Sequence, residues 1–252
     1  MSNTRVDLFN GVKITVEGTA RIYHSYEDWG LYVTNTDYIG EPKQNLNYVQ
    51  VPGRDGVIDL SDVTSGRPTY SGREIKILLA GHRNKVNWDA VISAFRNNIN
   101  GRICRITFDN DEEYYWRGRV DIKDFTSVLN LGKFRVDIPN ADPYKYDVLS
   151  SADPWLWDPF NFETGEIIQE EAHVVVGSET ITILHGHMPT CPDLVVSDKI
   201  SGVFSVTFDG STYELVTGSN KIPAIMVGGD DDAVLTFTGS ATVQIVYRGG
   251  SL

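Results

Sequence analysis

The chain has 252 residues, enough for one large or two ordinary domains, and its 41% hydrophobic and 22% charged content supports a buried core rather than a disordered tail. No apolar run approaches the ~20 residues of a membrane-spanning helix, and the two cysteines, Cys104 and Cys191, are too few for a disulfide framework. The formal charge is −12, with 19 Lys+Arg against 20 Asp+Glu in residues 1–148 and 3 against 14 in residues 149–252, so neither half has the basic excess that grips phosphate backbones.

The charge break predicts two domains, 1–148 and 149–252. Four of the ten prolines (Pro139, Pro143, Pro154, Pro159) crowd the boundary, as an ordered connector would place them. Met1 to Asp7 lack the apolar core of a secretory signal, so the expectation is synthesis and folding in a cytoplasm without membrane insertion. The cysteines fall in different domains and are expected as free, mostly buried thiols.

In chain order, Val12–Val16, Leu31–Thr34 and Asn47–Val51 alternate as strands do, the last stopped by Pro52-Gly53. Val57–Leu60 and Glu74–Leu79 read as further strands joined by the polar loop Ser61–Arg67. A long hairpin is expected over Ile58 to Leu79. Trp88, Val91, Ile92, Phe95 and Ile99 recur on one face of a helix, with Asn87 positioned to cap its start and Gly101 its end. A hairpin follows: Arg102–Phe108, the acidic turn Asp109–Glu112, then Glu113–Val120. Phe134–Ile138 closes the domain.

The second half shows short strands only: His173–Val176, Ile181–Leu184, Asp193–Val196, Phe204–Phe208, Thr212–Leu215, Ala233–Phe237 and Ala241–Tyr247. Asp209-Gly210 is a hairpin turn signal. Strands at this spacing predict a β-sandwich, so the fold class is mainly β with one helix in the first domain.

Several residue groups have the composition of a site. Asp109, Asp111, Glu112 and Glu113 are carboxylates at a hairpin tip, whereas a glycosidase needs two facing each other across a cleft; a solvated turn is the favoured reading. His185, His187 and Cys191 are zinc-type residues with no apparent fourth ligand. Asp230-Asp231-Asp232 lacks the ligand spacing of a calcium loop and reads as an exposed turn. Neither a phosphate-binding glycine loop nor a Gly-x-Ser-x-Gly elbow is present. No enzyme activity, metal or cofactor is therefore expected. Trp155 and Trp157 share a strand face and are the candidates for stacking on sugar rings; the favoured alternative is that they anchor the connector.

Val51-Pro52-Gly53-Arg54-Asp55-Gly56-Val57-Ile58-Asp59-Leu60 resembles a V-P-G-R-D-G segment of the distal tail proteins of siphophages. That family continues with a Tyr and an R-x-I strand (here Tyr70 and Arg73-Glu74-Ile75), then a helix running into an I-x-G strand (Ile99-Asn100-Gly101). A Y-Y-x-G-R strand follows, which Tyr114-Tyr115-Trp116-Arg117-Gly118-Arg119 resembles with one residue more before the glycine. Asp142-Pro143-Tyr144 resembles the exit from the family's first domain, and Val243–Arg248 its last strand. Gly53 and Gly56 bracket Arg54-Asp55 in a turn that calls for positive φ. The resemblance implies a homo-hexameric ring at the distal end of the tail, built by the N-terminal domains around the channel through which DNA passes. It also implies a galectin-like C-terminal sandwich, and as partners the major tail tube protein, the tail-associated hub protein, and receptor-binding or baseplate proteins. The location implied is the tail tip of the virion. The sugar-contacting motifs of galectins are absent from residues 149–252, so that shape would not imply sugar binding.

Overall fold

The computed structural model describes residues 11–63, 65–82, 85–128, 131–153, 172–200 and 202–252. The expected fold class is borne out: the chain is mainly β, in antiparallel sheets. It divides between Pro143 and Tyr144 into two compact units. Among the described residues no helix is long and apolar enough to cross a membrane.

The first unit begins with β1 (Val12–Val16), whose Val12, Ile14 and Val16 point inward by simple alternation. Then come β2 (Ile22–His24), α1 (Ser25–Trp29), β3 (Tyr32–Ile39), β4 (Tyr48–Val49), β5 (Ile58–Asp59) and β6 (Arg73–His82). The unit continues with α2 (Lys85–Ile99), β7 (Ile103–Phe108), β8 (Asp111–Arg119), β9 (Asp121–Val128) and β10 (Leu131–Ala141). One sheet runs β2-β1-β7-β8 and another β3-β6-β10-β9, with α2 contributing to the same core. All five apolar positions read as the helix face are buried. Phe95 meets Phe134 edge-on at 4.9 Å and Trp29 at 4.7 Å, joining helix and sheet residues in one aromatic cluster.

Three details correct the sequence reading. Helix α2 starts at Lys85, so Asn87 lies inside it rather than capping it, while Gly101 does take the left-handed conformation beyond its end (φ 73°). The acidic hairpin turn is only Asp109-Asn110, because β8 already begins at Asp111. A second, five-residue helix, α1, is too short to show a periodic apolar face. It is held by a reciprocal cap: Glu27 N–H donates to His24 Nδ1 (3.3 Å) and His24 N–H donates to Asp28 (2.7 Å).

The second unit contains β11 (Lys145–Asp147), β12 (His173–Ile183), β13 (Asp193–Ser197), β14 (Phe204–Phe208) and β15 (Ser211–Leu215). It is completed by β16 (Gly218–Lys221), β17 (Ala233–Val246) and β18 (Gly250–Ser251), the last paired with β11. Two pairs of predicted short strands are each one long strand here: residues 173–176 and 181–183 fall in β12, and 233–237 and 241–246 in β17. These two strands pair along their length, with Gly177 opposite Gly239 and both at positive φ. On one edge β17 meets β14 before Gly239 and β13 after it, so the paired glycines turn one sheet over into two layers. Leu235, Phe237, Val243 and Ile245 of β17 fill the space between with Phe204, Val206 and Leu194. On the opposite face Thr180, Thr236, Thr207 and Thr212 stand abreast across four strands, their hydroxyls 3.1 and 2.9 Å apart in the end pairs.

Candidate functional site: an assembly arm

Between β3 and β6 the chain leaves the first unit's core and returns. Gly40 N–H donates to Glu74 (2.8 Å), Ser71 N–H to Lys43 (2.8 Å) and Asn45 N–H to Thr69 (2.9 Å), zipping the base. Farther out, Asn47 N–H donates to Ser61 Oγ (2.8 Å), and Tyr48 and Val49 pair with Asp59 and Ile58. The hairpin therefore joins β4 to β5, not Ile58 to Leu79 as expected, because β6 is taken by β3 and β10. Asp59 folds the return: its carboxylate accepts from Ser61 Oγ (2.5 Å) and N–H (2.9 Å), and the Ser61 side-chain bond above all holds its pKa below the usual carboxylate range.

The Pro52–Gly56 segment that carries the family motif is the tip of this arm. Gly53 and Gly56 sit at φ 81° and 82°, and a Cβ on either would meet nothing within 4 Å. Glycine is needed there for backbone conformation and not for close approach. Arg54 and Asp55 stand exposed between them. No described arm residue belongs to the core, and Leu46 (52% exposed), Tyr48 (53%), Val57 (56%) and Val63 (73%) face water. A two-stranded ribbon is marginal alone in water, and exposed apolar side chains on one make it a candidate contact surface.

Other motif residues serve the first unit's framework. Arg117 makes a bidentate pair with Glu17 (2.7 and 2.9 Å) and reaches Asp142 (3.1 Å), tying β8 to the end of β1 and to the exit from β10. Arg73 is buried with its guanidinium 4.7 Å from the centre of the Trp116 ring, which compensates part of its desolvation. The Arg117 hydrogen bonds, opposed by partial burial, hold the Glu17 carboxyl below its ordinary range, and Glu17 in turn raises the Arg117 pKa. A lowered carboxyl pKa stabilises the fold above the unfolded value, and that stabilisation disappears as pH falls through the folded value. Glu17→Gln is accordingly expected to cost the first unit about 1 kcal/mol at neutral pH, with screening at this partly exposed site already discounted, and nearly nothing once the wild-type carboxyl is protonated. Urea melts of both chains at neutral and acid pH measure this.

Several of the residues with site-like composition are engaged locally. Asp109 accepts from Gly11 N–H (2.7 Å) and lies 3.1 Å from His24 Nε2, and Glu112 pairs with Lys13 at 2.7 Å. His185 N–H and Nδ1 both approach Asp232 Oδ1 (2.8 and 2.9 Å), and that bond holds Asp232 below its ordinary range. Cys191 Sγ lies 3.3 Å from the Ile222 carbonyl. Among the described residues no three His, Cys, Asp or Glu side chains converge as a metal would require. Trp155 and Trp157 lie outside the described residues. Both thiols are free. Cys104 is buried, and burial pushes its pKa up to about 11, whereas Cys191 is half-buried. One thiol per native chain, Cys191, is expected to react with iodoacetamide at neutral pH, and two after denaturation; native labelling of Cys104, read by peptide mass mapping, would contradict this packing.

No family model matches the sequence, and no curated protein matches it. Among solved structures, the fold is similar to the crystal structure of the Dit protein of phage SPP1, described as a paradigm of the hub adsorption apparatus in phages infecting Gram-positive bacteria. That likeness has a TM-score of 0.54 at 13% identity and covers 94% of this chain and 98% of that one, so what the two chains share is the fold along nearly their whole length.

Proposed function

We propose that this protein is a structural subunit of a phage tail tip, in which six copies form a ring at the distal end of the tail. The observation that carries the reading is the arm: a ribbon with exposed apolar side chains and no described residue in the buried core, bearing at its tip the segment that resembles distal tail proteins. The whole-length likeness to a phage hub protein supports it at the level of fold. In this reading the first unit builds the ring, one ring face meets the tail tube protein and the other the tail-associated hub protein, and DNA passes through without being held. A near-neutral first half suits a channel that must not grip DNA, and the 14 carboxylates against 3 cations in residues 149–252 suit an outward, galectin-like domain that meets receptor-binding or baseplate proteins. The protein performs no catalysis. Negative-stain imaging of the full chain tests this: rings of sixfold symmetry are expected, and single particles that bind cell-wall glycan would contradict it in favour of a carbohydrate-binding module.

A further inference from the structure

We infer that the arm tip of one copy seats in an acidic groove at the β2 edge of the next copy's first unit, with Arg54 as its ionic anchor. The inference rests on the ring reading above and names the surface that receives the arm. Strand β2 is the last of its sheet, and beside it lies an open groove rimmed by Ile22 (63% exposed) and Tyr26 (40%). The groove also presents four carboxylates, Glu27, Asp28, Asp109 and Glu112, against one ammonium, Lys13. Lys13 neutralises Glu112, and Asp109 is held by Gly11 N–H and His24. Asp28 accepts only a backbone N–H, and the exposed Glu27 carboxylate has no ion-pair partner among the described residues.

The tip is the complement. Arg54 is exposed and has no ion pair among the described residues, and Val51 and Val57 flank it as apolar contacts for Ile22 and Tyr26. Tip residues do not line the groove of their own copy, and the segment from Gly40 to Gly53, of which only Tyr48–Val49 is strand, has a reach of at most about 40 Å. A second groove of the first unit, lined by Asn100, Arg117, Arg119 and Asp142, fits less well. Its Arg117 is already taken by Glu17 and Asp142, its Arg119 donates to the Gly101 carbonyl, and its Val120 is buried rather than offered as a rim.

The test is a charge swap in the full chain, read by sedimentation. Arg54→Glu places a carboxylate against carboxylates and is expected to weaken subunit association on the order of 100-fold. Glu27→Arg alone is expected to weaken it as well, and the double variant Arg54→Glu/Glu27→Arg to recover most of the loss. Both residues are exposed, so unchanged thermal melts separate a docking defect from misfolding. A wild-type chain that assembles and an Arg54→Glu chain that assembles equally well would overturn the tip–groove pairing while leaving the ring reading intact. Weakening by Arg54→Glu that Glu27→Arg does not relieve would also overturn it, since the tip would then meet some other surface. A wild-type chain that never assembles would overturn the ring reading, and this inference with it.

Discussion

Joining Asn45 directly to Thr69 through an Asn-Gly turn, which removes the outer arm, is expected to abolish subunit association and leave both units folded. Asn45 and Thr69 are already bonded across the base of the arm, so a two-residue turn closes them without moving β3 or β6. No described residue of the removed stretch belongs to the buried core, which predicts a melting temperature within about 3 °C of the wild type. The effect on assembly is large. Full burial of Leu46, Tyr48, Val57 and Val63 from their half-exposed state is worth roughly 1–1.5 kcal/mol each. About 4–6 kcal/mol of apolar burial corresponds to a thousandfold or more in association. Light scattering and a thermal melt on the same sample decide it: full-size assemblies without the arm would remove its proposed role, and a collapsed melting transition would show that the arm serves the fold instead.

Gly239→Val carries the largest expected cost to stability, and it falls on the second unit alone. Gly239 has φ 123°, a conformation that L side chains rarely adopt, and a Cβ there would lie 2.6 Å from the Val203 carbonyl and 3.0 Å from Phe204. Backbone strain and collision with a fully buried phenylalanine add up to about 3 kcal/mol or more, a fall on the order of 10–20 °C for a unit of this size. Its partner makes the control. Gly177 also has positive φ (85°), but a Cβ there meets nothing within 4 Å, so Gly177→Ala is expected to cost only the backbone penalty, about 1 kcal/mol. Equal effects at the two positions would mean that the corner of the sheet is not where the packing is tight.

That corner also shows where sequence reasoning falls short. Val174–Val176, Ile181–Ile183, Leu235–Phe237 and Val243–Ile245 announce strands by period-two alternation. Gly177-Ser178 and Gly239-Ser240 between them have turn composition, and a continuous strand that bends at glycine reads as two strands and a turn. Helix α2 was legible because fifteen residues hold a full apolar face, whereas α1, with five, depends on a cap whose acceptor is a histidine ring. Strand β9 was hidden for a related reason: its alternation breaks at Asp124, where φ is 54° and the pairing with β10 shifts register. Of the candidate site, the glycines of the tip and the polar loop were visible as motif and composition. The partner of β5 was not, since β6 looks equally suitable until β3 and β10 occupy both its edges. Nor was the acidic groove, whose walls come from residues about 100 positions apart and exist only once β2, β1, β7 and β8 line up in one sheet.

The native mass of the full chain in solution tests the central claim most directly. A ring of six predicts a dominant species near 170 kDa, about six times the 28.1 kDa subunit, lost when the arm is removed. A mass of about 28 kDa at every concentration, with the arm intact, would contradict it.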